Sequence, residues 1–175
     1  INGGYAKGLL TECVQRSILK VQKDIGFRYI RCKGIFDDEL QLCSRDMDGK
    51  LVFNYVFLDN ILDFIRSSRA YPWIELSYMP SALCRYKRKK SRELWLIAMP
   101  DEPQEWLDMI RDLLLHIRGR YGADEASHWM ITPFADIFLV NMHMEDQDGY
   151  LELYEKTHRL IREILPRTKI AARGT

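Results

Sequence analysis

Gln22-Lys23-Asp24-Ile25-Gly26-Phe27-Arg28-Tyr29-Ile30-Arg31 contains a change of period that decides the fold. On its N-terminal side, from Glu12 to Asp24, the apolar residues Val14, Ile18, Val21 and Ile25 recur at spacings of three and four. That spacing makes one face of a helix. Gly26 is placed to end it, because glycine adopts the left-handed conformation of a helix C-cap without steric cost. Phe27 to Arg31 follows at once as a β-rich run. A helix passing directly into a strand is half of a βα unit.

The alternation repeats outward from this point. Leu40 to Cys43 and Leu51 to Phe53 flank Asp46-Met47-Asp48-Gly49, which predicts a hairpin with Gly49 in the turn. Val56 to Arg66 is again helical, with Val56, Leu58, Ile61, Leu62 and Ile65 on its buried side. Tyr71 to Ser77 is the next strand, and residues 80 to 103 form a long irregular segment. Gln104 to Arg120 predicts a helix burying Trp106, Ile110, Leu113, Leu114 and Ile117. Trp129 to Phe134 is a strand, Gly149 to Leu165 a helix stopped by Pro166, and Lys169 to Ala172 one more strand. Strand and helix in alternation imply a parallel sheet in an α/β fold. Both a doubly wound sheet and a (β/α)8 barrel fit. No glycine-rich phosphate loop follows any strand, which weakens the nucleotide-binding version.

Composition excludes several classes. Apolar residues are 47% and charged residues 29% of the 175, an ordinary globular mixture, so one domain over residues 1–175 is expected. A formal net charge of +1 exerts no overall pull on nucleic acid or on acidic surfaces. No apolar run approaches the ~20 residues that span a bilayer. Ile1-Asn2-Gly3-Gly4 shows no secretory signal, and Cys13, Cys32, Cys43 and Cys84 have no metal or disulfide spacing. A cytoplasmic protein with scattered thiols and no cofactor is the expectation.

Several of these segments resemble glycoside hydrolase family 39, the β-xylosidase and iduronidase family. Gln22 to Arg31, continued by Gly34-Ile35-Phe36-Asp37-Asp38, is similar to the family run "ELGFRYIRFHGIFDDD". Asp48-Gly49-Lys50, Phe53-Asn54-Tyr55 and Asp59 match its hairpin and next helix. Ile74-Glu75-Leu76-Ser77-Tyr78-Met79-Pro80 resembles the third-strand motif "VELSFMP", and Arg120-Tyr121-Gly122 before Trp129 resembles "RYG…W". The resemblance implies a partial (β/α)8 barrel running from the end of strand one to strand five.

The same resemblance locates a site and weakens it. A retaining glycosidase needs two carboxyl groups ~5–5.5 Å apart. The family's acid/base glutamate ends strand four in "WNEPN", and its nucleophile ends strand seven. Counting from Trp129 puts Ala135 where the family has Asn and Asp136 where it has Glu. The histidine of "RFHG" becomes Lys33. Strand seven would lie outside these residues, so hydrolysis by this chain as it stands is not expected. The scaffold motifs are kept while the site motifs have changed. On that ground the expected function is a non-catalytic, sugar-sensing or interaction domain of an AraC-type bacterial transcription regulator. DNA contact would then fall to other parts of the parent polypeptide. The alternative is a truncated part of an active β-xylosidase-like retaining hydrolase, with Asp136 as acid/base and Glu75 and Lys33 as subsite contacts.

Individual residues carry two readings each. Lys33 is either a ligand contact at the barrel mouth or a solvated strand-end lysine. Glu75 either accepts sugar hydroxyls or pairs with Arg31, and pairing is favoured because buried charges need partners. Trp95, in the irregular segment, is the candidate for sugar stacking, whereas Trp106 and Trp129 fall in periodic apolar patterns and belong in the core. The basic run Arg85 to Lys90 reads as a solvated loop. His143, Glu145 and His158 match no metal spacing. An incomplete barrel would expose sheet edges and apolar helix faces, so a homo-oligomer is expected.

Overall fold

The computed structural model describes residues 1–84, 99–133 and 147–171. Five strands make one parallel sheet: β1 (Asn2–Tyr5), β2 (Tyr29–Lys33), β5 (Tyr71–Glu75), β6 (Met130–Thr132) and β7 (Lys169–Ile170). Their order in the sheet is their order in the chain. A doubly wound sheet would reverse direction at a switch point. Strictly sequential parallel strands are the arc of a barrel, which decides between the two architectures left open by the periodicity.

The helices arise where the apolar spacing puts them. Helix α1 (Glu12–Ile25) ends at Gly26, whose φ of 72° and N–H bond to the Gln22 carbonyl form the expected left-handed cap. Helix α2 (Val56–Ser67) buries Leu58, Ile61, Leu62 and Ile65, whereas Val56, expected on the same side, is exposed in the first turn. Helix α3 (Pro103–Tyr121) starts on proline, which has no N–H to leave unsatisfied in the first turn. It buries Trp106, Met109, Ile110, Leu113, Leu114 and Ile117. A short α4 (Ala123–Ala126) leads into β6, and α5 (Gln147–Ile164) packs along α3, with Trp106 donating to the Thr157 hydroxyl at 3.0 Å. Between β2 and α2 the chain forms an antiparallel hairpin of β3 (Cys43–Arg45) and β4 (Leu51–Phe53). Asp46 and Gly49 close its turn, with Gly49 at φ 79°.

Burial alternates along the strands. Ile30, Cys32, Ile74 and Ile131 are at most 1% exposed and share one continuous core with the helices. Tyr29, Arg31 and Lys33 on β2 point the other way, as do Tyr71, Trp73 and Glu75 on β5 and Met130 and Thr132 on β6. That second face is polar and aromatic.

Several boundaries move from their expected places. Phe27 and Arg28 precede the strand, which begins at Tyr29, because Tyr71 pairs there and the Arg28 carbonyl takes the Tyr71 N–H. Leu40 lies in a 3-10 turn capped by Asp37 rather than in the hairpin. Leu76 and Ser77 have left the ladder, although Leu76 N–H still reaches the Thr132 carbonyl. Residues 2–5 form a full strand although Asn2-Gly3-Gly4-Tyr5 has little intrinsic strand propensity. Packing explains it: a Cβ on Gly3 would stand 2.8 Å from an Ile30 methyl and 2.9 Å from the Arg31 carbonyl. Glycine lets the two strands approach. Of the last predicted strand, Ala172 lies outside the described residues.

Candidate functional site

Barrel sites form at the C-terminal ends of the strands. Here those ends are Tyr5, Lys33-Gly34, Glu75-Leu76-Ser77, Thr132 and Ile170. Glu75 is 4% exposed and is engaged on both carboxylate oxygens. Arg31, one strand over, donates to Oε2, and the Ser77 hydroxyl donates to Oε1 at 3.0 Å. Ser77 Oγ in turn accepts the Gly34 N–H at 3.1 Å, and the Ser77 carbonyl accepts the Phe36 N–H at 3.0 Å. One buried carboxylate therefore ties the end of β2 to the end of β5. Arg31 also lies over Trp73, its guanidinium carbon 5.2 Å from the ring centroid, and Trp73 donates to the Thr132 hydroxyl at 2.9 Å. Among the described residues Arg31 Nε is buried without a hydrogen-bond partner.

Above this brace sits a smaller group. Lys33 Nζ is 5.2 Å from the centroid of Tyr5, and Tyr5 lies 6.1 Å from Tyr78 at 51°. Burial pushes the Tyr78 phenol above the usual tyrosine range, and neighbouring Tyr5 adds to this. Gly34 has φ 72°, and a Cβ there would meet the Tyr78 ring at 2.7 Å.

Glu75 and Lys33 thus share the strand-end edge but have separate partners. Glu75 is held by Arg31, the pairing favoured by its sequence context. Lys33 makes no ion pair among the described residues and covers an aromatic face instead. Trp95, Ala135 and Asp136 lie outside the described residues, as do the basic run from Arg85 to Lys90, His143 and Glu145. Trp106 and Trp129 are fully buried, as expected. Sequence reasoning did not single out Tyr5, Ser77, Tyr78 or Thr132. Ser77 and Tyr78 stood within a recognised motif, and Trp73 could have been placed by its alternation with Tyr71 and Glu75; Tyr5 gave no signal of its own.

A separate cleft lies beside the hairpin, lined among others by Asp38, Cys43, Ser81, Asp101 and Glu105. Arg45 spans it, donating to the Gly49 and Ala82 carbonyls and to Glu105. Among the described residues no group of three or more His, Cys, Asp or Glu could hold a metal ion, and no helix is long and apolar enough to cross a membrane.

Sequential parallel strands with polar groups braced at their C-terminal ends define a (β/α) barrel segment, a class of fold whose sites form at those ends. The family is equally definite: residues 6–174 match the family model for glycosyl hydrolases family 39, and the chain belongs to that family. It is 28% identical over 172 residues to a β-xylosidase of Caldicellulosiruptor saccharolyticus, covering 98% of this chain and 35% of that protein. Its fold is similar to the crystal structure of a family 39 enzyme from Xanthomonas axonopodis pv. citri, with a TM-score of 0.85, 30% identity, and coverage of 100% of this chain and 34% of that one. It is likewise similar to a family 39 β-xylosidase from Caulobacter crescentus, with a TM-score of 0.83, 29% identity, and coverage of 100% and 39%. The chain spans about a third of the length of the curated relatives it matches.

Proposed function

We propose that this chain is the N-terminal part of a β-xylosidase-like barrel and contributes the sugar-binding wall of its site. The observation that carries this reading is the Arg31–Glu75–Ser77–Gly34 brace, which fixes the mouth of the barrel beneath the strand ends. A site that binds a hydroxyl-rich ring needs its donors and acceptors held in place before the ligand arrives. In this reading Asp136 is the acid/base, and the nucleophile comes from residues beyond these 175. Aspartate is one methylene shorter than glutamate, and ~1 Å of misplacement costs about a hundredfold in rate. Ala135 has no hydrogen bond to give to the sugar 2-hydroxyl, a contact that strengthens in the transition state. Turnover by the full-length protein is therefore slow.

The departures at Lys33, Ala135 and Asp136 favour a second reading, in which the barrel binds a sugar without cleaving it. It would then serve as the sensing domain of an AraC-type regulator, with DNA bound by another part of the polypeptide. Assaying the full-length protein with 4-nitrophenyl β-D-xyloside separates the two. Turnover that falls in Asp136→Asn and rises in Asp136→Glu supports the hydrolase. Xyloside binding with no turnover, unchanged by Asp136→Glu, supports the sensor. Absence of both binding and turnover removes the xylose assignment from either.

A further inference from the structure

We infer that Tyr5 is the aromatic surface against which the sugar ring stacks, a specificity-determining contact; this rests on the sugar-binding reading above. Tyr5 is 53% exposed, and among the described residues no other Phe, Tyr or Trp is exposed. It closes β1 at the pole where barrel sites lie. The neighbouring rings at that pole are spent on packing: Tyr78 is 6% exposed and Phe36 1%.

The ring is held rather than loose. Lys33 Nζ lies 5.2 Å from its centroid, and Tyr78 meets it at 51°. A pyranose presents an apolar C–H face rimmed by hydroxyls. A tyrosine ring accepts that face in place of the Lys33 ammonium that lies over it, and the displaced ammonium donates to a rim hydroxyl. Binding sites are built in this way, from an aromatic surface with a few fixed polar groups. The ligand class this selects is a pyranoside with one face free of axial substituents.

The test titrates the full-length protein, its Tyr5→Ala variant and its Tyr5→Phe variant calorimetrically with methyl β-D-xyloside, methyl β-D-glucoside and methyl β-D-galactoside. Loss of the ring should raise the Kd of the bound glycoside about tenfold, which corresponds to ~1.4 kcal/mol. Tyr5→Phe should stay within about twofold, and the urea midpoints of both variants should match that of the parent. A Tyr5→Ala variant that binds the xyloside as tightly as the parent overturns this inference and leaves the xylose reading standing. Binding of only the glucoside or galactoside, lost in Tyr5→Ala, supports the stacking role and overturns the xylose reading. A parent protein that binds none of the three overturns both.

Discussion

Arg31 and Glu75 form an ion pair across adjacent strands β2 and β5, with the Arg31 side chain 17% exposed and that of Glu75 5%. Their backbone register makes the contact diagonal: Arg31 stands opposite Trp73, and Glu75 is two residues further along on the same face. The guanidinium therefore bridges a ring and a carboxylate at once. Such a planar, delocalised cation suits both partners in a way that a lysine ammonium does not.

Removing one partner leaves a charge with little water to solvate it. Glu75→Gln is expected to destabilise the protein by about 3 kcal/mol, the low end for a broken buried pair because Arg31 keeps some solvent contact. Replacing both, as Arg31→Met with Glu75→Leu, should bring stability back to within about 1 kcal/mol of the parent. Urea unfolding of the three variants measures this. A Glu75→Gln variant as stable as the parent would show that the pair carries no structural role.

Two glycines with the same backbone angle should respond differently to the same change. Gly26 and Gly34 both have φ 72°, but a Cβ on Gly26 meets nothing, whereas one on Gly34 meets the Tyr78 ring at 2.7 Å. Gly26→Ala should cost only the left-handed strain, about 1–2 kcal/mol. Gly34→Ala adds a steric clash of about 1–3 kcal/mol to that strain. Equal losses in thermal or urea unfolding would show that Tyr78 yields freely. In that case Gly34 is not required for close approach.

How far the sequence could be read depends on where the information sits. Helices α2, α3 and α5 were legible because each buries residues at spacings of three and four, as with Leu58, Ile61, Leu62 and Ile65. The Arg31–Glu75 pair was legible too, since a charge on a barrel strand needs a partner. Strand β1 was not, because Gly3 serves a neighbouring strand rather than any local propensity. Tyr5 was invisible for the same reason: its place at the mouth comes from pairing between β1 and β2, which no local pattern encodes. The start of β2 at Tyr29 rather than Phe27 is likewise set by its partner, Tyr71.

The four thiols should divide one against three. Cys13 is exposed on α1, while Cys32, Cys43 and Cys84 are buried. Thiolate, not thiol, is the reactive form, and burial holds Cys32 and Cys43 in the neutral state. Ellman's reagent at pH 8 should titrate one cysteine quickly in the native protein and all four in urea. Rapid reaction of a second thiol would mean that a buried segment opens on the timescale of mixing.

The same buried groups predict an alkaline limit to stability. Burial pushes the thiols of Cys32 and Cys43 from their ordinary value near 9 up to about 12, and the Tyr150 phenol from its ordinary value near 10 up to about 12. Each is an acid whose native state holds its proton more tightly than the unfolded chain does. Above the unfolded value the unfolded chain therefore binds fewer protons than the native one, and stability falls as pH rises. The stabilising contribution is complete below pH 9 and is lost progressively between about 9 and 12. Urea midpoints measured at intervals over that range should decline steadily, and Cys32→Ala should make the decline shallower even though it lowers the midpoint at pH 7. An identical slope in Cys32→Ala and the parent would mean that the Cys32 thiol contributes nothing to the alkaline transition, leaving Cys43 and the buried tyrosines to account for it.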